Sequence, residues 1–244
     1  MRPSGPLPLT RARSTPSSLA RRRAAGEAGT NFFSVGASGF GGAGFVPVGA
    51  GPSLTPTPVY PAQHYILNIS GHKQYFPLGC EASAAKDWAN YFHKDFNEFE
   101  FQYKLPVSDN PDLGFVGDVN SPWGQTPPYG YGVYAGPVAD LLNAYAIPAK
   151  AHKGYTLEEV KAQLAQDRPV IAWVIGNMVG GVPAEYTDSR GNKVLVAAYE
   201  HVVILTGYNE KKIRYMTNGR FFETPNEVFL NSWGVLGNMV VTVD

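Results

Sequence analysis

Cysteine is almost missing from this chain. Cys80 is the only one in 244 residues, so no internal disulfide and no cysteine-rich zinc or iron–sulfur site can form. Charge is sparse too: charged residues are 16% of the chain, and 20 basic side chains balance 20 acidic ones. Such a chain carries no whole-molecule field to draw nucleic acid or an anionic membrane. No apolar run approaches the roughly 18 residues of a membrane span, so no stable membrane insertion is expected. The motifs G-x-x-x-x-G-K-[ST], H-E-x-x-H and G-x-S-x-G do not occur, and there is no internal repeat. No metal and no organic cofactor is expected.

Glycine and proline are plentiful instead, at 27 and 20 residues, and they are unevenly spread. Residues 1–63 hold ten glycines, nine prolines and twelve serines or threonines, with six arginines against one acid, Glu27. They carry almost no Leu, Ile or Val at helical or strand spacing, so they bury too little to offset their ordering entropy. This segment is expected to be a disordered basic tail or linker. Its Arg21-Arg22-Arg23 cluster, followed by a weakly apolar stretch, loosely resembles a twin-arginine export signal, which leaves cytoplasm and cell envelope both open. Gly39, Gly41 and Gly44 spell G-x-G-x-x-G, but no strand precedes them and no helix follows, so this is low complexity rather than a dinucleotide site.

Residues 64–244 read as one domain. A short apolar run at 65–70 suggests a strand. A helix opens at Gly79-Cys80 and runs to about His93, with Ala84, Ala85, Trp88, Ala89 and Phe92 on one stripe. Residues 97–135, dense in Pro, Gly and aromatics, predict a long ordered loop. A helix follows Pro137, and Thr156 with Glu159 forms a capping box for another, to about Gln166. Strands are predicted at 169–175 (PVIAWVI), 193–199, 201–208, 212–217 and 238–243, with Asn218-Gly219 as a two-residue hairpin turn. Thr224, Pro225 and Glu227 predict the cap of a short helix. Helices first and antiparallel strands later is an α+β pattern.

A lone cysteine is commonly just a small buried apolar residue. Cys80, however, stands at a predicted helix start, where free amides and the helix dipole favour a thiolate. Gln74, six residues upstream, can place an amide donor beside the sulfur, as an acyl-transfer oxyanion requires. Of five histidines, only His201 leads a strongly apolar strand, HVVILTGY. It suits a proton shuttle, or equally a hydrogen-bonded structural histidine. Asn218 can accept from that imidazole, or can serve only the turn, where Asn-Gly is favoured anyway. In the loop, Trp123, Tyr129 and Tyr131 are candidates to wall a substrate cleft.

The order Gln74, Cys80, His201, Asn218 resembles that of papain-like cysteine peptidases. More closely, the chain resembles the bacterial peptidases related to bacteriocin-processing enzymes, peptidase family C-thirty-nine, in their stand-alone branch. GDVNSPWGQTPPYGYGVYAGPVADLL from Gly117, RPVIAWV from Arg168, EHVVILTGYNE from Glu200 and FLNSWGVLGNMVV from Phe229 carry the resemblance. It implies a papain-like α+β fold, with the helix carrying Cys80 packed on a C-terminal antiparallel sheet. It implies Cys80 as nucleophile, His201 as general base and acid, Asn218 as orienting residue and Gln74 as oxyanion donor. Many members of the branch carry Asp where this chain has Asn218. The expected partner is a peptide or protein substrate, and the expected state a monomer. Two other functions fit the same residues: a cell-wall amidase or endopeptidase of the Cys–His type, and a non-catalytic peptide-binding module that retains the cleft.

Overall fold

Residues 60–243 are described in a computed structural model. In chain order they form β1 (His64–Tyr65), α1 (Cys80–Tyr91), α2 (Glu98–Lys104), α3 (Ala135–Ala144), β2 (Ala149–His152), α4 (Leu157–Leu164) and β3 (Val170–Ile175). Then come β4 (Ala184–Thr187), β5 (Lys193–Val196), β6 (Glu200–Tyr208), β7 (Lys212–Thr217), β8 (Arg220–Pro225), α5 (Asn226–Gly234) and β9 (Val240–Val243).

β6 is the axis. All of its residues are buried, as an almost unbroken apolar run demands. β3, equally buried, pairs antiparallel with it from Val170↔Leu205 to Ile175↔Glu200. β7 lines its other side, starting at Ile204↔Met216, and β8 follows β7 through the Asn218-Gly219 turn. Both turn residues have positive φ, 50° and 68°, as a twisted two-residue hairpin requires. The sheet order is β2-β9-β3-β6-β7-β8, with β1 added on the far end of β6. All these pairings are antiparallel. α1 packs against β6 and α5 against β3.

Three fully buried tryptophans join the layers, each with its indole N–H satisfied, as burial of that group requires. Trp88 of α1 donates to the Pro169 carbonyl (2.6 Å), Trp173 of β3 to that of Val133 (2.9 Å), and Trp233 of α5 to that of Met239 (3.0 Å).

The α+β expectation holds, and several details shift. The predicted strand at 65–70 pairs only at His64 and Tyr65, and continues as a single backbone bond from Ile66 to the Thr206 carbonyl. The predicted loop contains α2, capped by Asn97, whose side chain accepts from Glu100 N. β5 leaves the main sheet and pairs with β4 in a separate ribbon. Thr156 and Glu159 form the predicted capping box. At α5, by contrast, Pro225 is the N-cap and no side chain caps it.

The domain edge lies earlier than the 63/64 boundary read from composition. Tyr60 packs edge-on against Tyr208 at 5.7 Å, and the Tyr208 hydroxyl donates to the Pro61 carbonyl at 2.9 Å. Residues 60–63 therefore belong with the fold. The tail expectation for residues 1–59, including the export-signal resemblance, falls outside the described residues.

Candidate active site

Cys80 is the first residue of α1, after Gly79, whose position has no side-chain cap. The sulfur is buried. Sγ donates to Glu81 Oε2 at 3.2 Å, and the Val202 N–H of β6 points at it. Burial, and then the carboxyls of Glu81 and Glu200, push the thiol pKa well up. This reverses the expectation drawn from the helix start. A helix N-terminus contributes roughly 0.3–1 kcal/mol at an exposed site, and a dry site next to acidic groups outweighs it.

His201 is the second residue of β6 and is also buried. Its Nε2 bonds the Thr217 hydroxyl at the end of β7, at 2.8 Å. Burial lowers its pKa to about 4, so the imidazole is neutral at pH 7. Among the described residues no hydrogen bond joins Cys80 to His201. The sulfur lies beside the peptide N–H that follows His201, turned toward the acids.

Asn218 is brought to Gln74 rather than to the imidazole. Its Oδ1 accepts from Gln74 N at 3.1 Å. The Gln74 amide in turn donates to the carbonyls of Phe76 (2.8 Å) and Pro77 (3.2 Å). Both donors are thus committed to their own loop. The reason lies in the turn: with φ at +50°, Asn218 projects its side chain back over the loop 71–79.

Gln74 and Asn218 form a partition. On one side is an open cleft of about 400 Å³, lined also by His201, Trp123, Tyr75 and Phe76. On the other is a small cavity of about 10 Å³, lined by Cys80, Val202, Met216 and Thr217. Of the three proposed cleft aromatics, Trp123 fits. Its ring lies 6.1 Å from the imidazole, and its Nε1 donates to the Glu200 carbonyl at 2.7 Å. Tyr131 does not: it is 3% exposed, and its hydroxyl meets those of Tyr134 (2.9 Å) and accepts from Ala197 N (3.2 Å), so it is core. Tyr129 is exposed and is not among the residues lining the cleft.

Three residues beside the site went unread in the sequence: Thr217, Glu81 and Glu200. Glu81 is 0% and Glu200 3% exposed, and an oxygen of each lies with Cys80 Sγ inside a 4.8 Å grouping. Burial raises both carboxyls, Glu81 to about 7. The only signal was adjacency, Cys80-Glu81 and Glu200-His201.

The loop 71–79 is anchored by His72. Nδ1 bonds Asp87 Oδ1 of α1 at 2.7 Å and Nε2 bonds Glu98 Oε2 of α2 at 2.6 Å, while the His72 N–H donates to Asp87 Oδ2 at 3.1 Å. This ties the Gln74 loop to the helix that begins at Cys80.

A family model described as the Peptidase_C39 like family matches residues 66–239. The chain belongs to this family. A solved structure from Bacillus anthracis, described as a C39-like peptidase, is 21% identical, with 74% of this chain and 96% of that one covered and a TM-score of 0.65. That likeness shows the papain-like fold. Xylellain, a cysteine protease from Xylella fastidiosa, is 13% identical over 76% of this chain and 86% of its own, with a TM-score of 0.42. No curated protein matches. Membership of this family makes the chain one of the cysteine-peptidase type. Among the described residues no helix is long and apolar enough to cross a membrane.

Proposed function

We propose that this chain hydrolyses a peptide bond through a Cys80 thioester, with His201 as base and acid. One observation carries the reading. A cleft holding His201 and a cavity holding Cys80 abut across the same two side chains, Gln74 and Asn218. The reaction requires the Cys80 side chain to turn from Glu81 toward the cleft, so that Sγ meets the imidazole.

The chemistry then follows from the tautomer. If Nε2–H donates to Thr217 Oγ1, the Nδ1 lone pair is the base. It takes the thiol proton as Sγ bonds the carbonyl carbon, and returns that proton to the leaving amine as the C–N bond breaks. Water, deprotonated by the same nitrogen, then cleaves the thioester. Thr217 takes the orienting role. The Cys80 backbone N–H, with Gln74 once its amide leaves the loop carbonyls, faces the oxyanion. Trp123, Tyr75 and Phe76 form an aromatic wall suited to an apolar substrate side chain.

A non-catalytic peptide-binding reading is favoured by one fact: the thiol is protonated and bonded to Glu81 rather than to His201. The two separate in one experiment. The full chain and its Cys80→Ala variant are incubated with a peptide library and the products identified by mass spectrometry. Cleavage that falls to background in the variant is expected. Peptide binding without cleavage in the wild-type protein establishes the binding module instead.

A further inference from the structure

Glu81 and Glu200 are buried acids for which the proposed reaction has no use. Each adjoins one of its central residues in sequence, and the two meet from different elements, α1 and β6. Among the described residues neither makes an ion pair with a Lys, Arg or His. The Val133 N–H donates to Glu81 Oε1 at 2.6 Å, while Glu200 Oε1 is buried without a partner. The groups facing them are all weak acids: Cys80 from α1, and Tyr131 and Tyr134 from the loop before α3. The neutral His201 is next in chain on β6. The roof is Gly132, with φ at +127°, where a Cβ would come within 2.2 Å of Glu81 Oε1 and 3.2 Å of Glu200 Oε2. The loop thus closes on the pair with no room for a side chain.

Two carboxylates this close in a dry site repel, and one must hold a proton. The environments differ enough to say which. Glu81 sits in the first turn of α1, where the helix dipole favours negative charge, and accepts from Val133 and from the thiol. Glu200 has no such donors. We propose that Glu81 and Glu200 hold one proton between them, mainly on Glu200, and that the remaining negative charge positions Cys80 as a thiol in the resting protein. The pair is a positioning element: Glu81 accepts the S–H, and its charge opposes a thiolate until the side chain turns away. That consequence for reactivity rests on the reading of Cys80 as the nucleophile, whereas the shared proton does not.

The test uses the full chain, in which Cys80 is the only thiol to alkylate. Glutamine copies a protonated carboxyl. Glu200→Gln therefore keeps the charge, and the iodoacetamide rate at pH 8.5, where Glu81 is ionised, stays within about twofold of wild type. Glu81→Gln combined with Glu200→Gln removes the charge, and the rate rises about tenfold, one unit of thiol pKa. Infrared spectroscopy at pH 8.5 supplies a second measurement that needs no folded double variant. The wild-type protein shows a protonated-carboxyl C=O band that Glu200→Gln removes. Absence of the band, a Glu200→Gln substitution that accelerates alkylation as much as the double one, or a folded double variant with an unchanged rate each overturns the proposal. The peptidase reading fails separately: the band and rates can stand as stated while no peptide is cleaved.

Discussion

At the scale of single residues, the third member of the site is where sequence and structure part. Asn218 satisfies a turn that wants positive φ, and its side chain is spent on Gln74 N. Thr217, one residue earlier, meets His201. The two are separable by substitution. Thr217→Val keeps the shape but strips the partner from a buried imidazole nitrogen, at a cost of about 1–3 kcal/mol in stability. It frees the ring to exchange tautomers, and peptide cleavage should fall by at least about tenfold, the equivalent of 1.4 kcal/mol. Asn218→Gly relaxes a left-handed residue and loses one part-exposed hydrogen bond, so stability should stay within about 1 kcal/mol of wild type. Imidazole ¹⁵N shifts decide the matter. A tautomer change in Thr217→Val alone places the orienting role on Thr217; a change in Asn218→Gly alone returns it to Asn218. The sequence contained Thr217 in plain view, but an unremarkable Thr at a strand end carries no pattern. Only the β6–β7 pairing brings it within reach of the histidine, diagonally across the two strands.

Elements position these residues, and the decisive one is irregular. The loop 71–79 has neither helix nor strand, yet it carries Gln74 and delivers the chain to Cys80. Its hold on α1 and α2 is the His72 bridge. Burial by itself would lower the His72 pKa, but hydrogen bonds and charge from Asp87 and Glu98 outweigh it and leave the value raised. A raised histidine favours the charged form when folded. Its contribution is therefore complete below the unfolded value of about 6.5 and lost as pH climbs through the folded one. The wild-type protein should melt above His72→Gln by the widest margin near or just below that lower limit, and the margin should shrink on the alkaline side. Amide hydrogen exchange in 71–79 should accelerate over the same range. A melting difference that does not vary with pH sinks the bridge as a charged clasp. Since the imidazole is partly exposed, solvent screening keeps the effect modest. At this scale α1, α4, β3, β6 and β7 were readable from periodicity and caps. The helix α2 was not, because its aromatics alternate as EFEFQYK, although the Asn97…Glu100 cap was there to be found. The short strands β2, β4 and β8 exist only through their partners, since the runs are polar, brief or ended by proline.

For the whole molecule, the question is where the folded unit begins. We propose that residues 1–59 add nothing to its stability. A chain starting at Tyr60 should then melt within about 2 °C of the full one, the shift expected for about 0.5 kcal/mol at this size. A chain starting at His64, the edge suggested by composition, loses the Tyr60–Tyr208 ring contact and the Pro61 acceptor. It should be weaker by about 1–2 kcal/mol. If both melt alike, Tyr60 is no part of the fold; if both fall far below the full chain, the tail is structural.

Fold class, the helix opening at Cys80, the apolar strand carrying His201 and the hairpin at Asn218-Gly219 were determined by the sequence alone. Each is a local matter: periodicity of apolar residues, a cap, or a turn that needs positive φ. The protonation states at the site were decided only by the tertiary structure. Whether a thiol at a helix start is acidic depends on what surrounds it in space, and the fold surrounds this one with two carboxyls from elements about 120 residues apart in the chain. Burial that excludes water turns those neighbours from minor influences into the dominant ones, because charge is screened far less in a dry interior than at a surface.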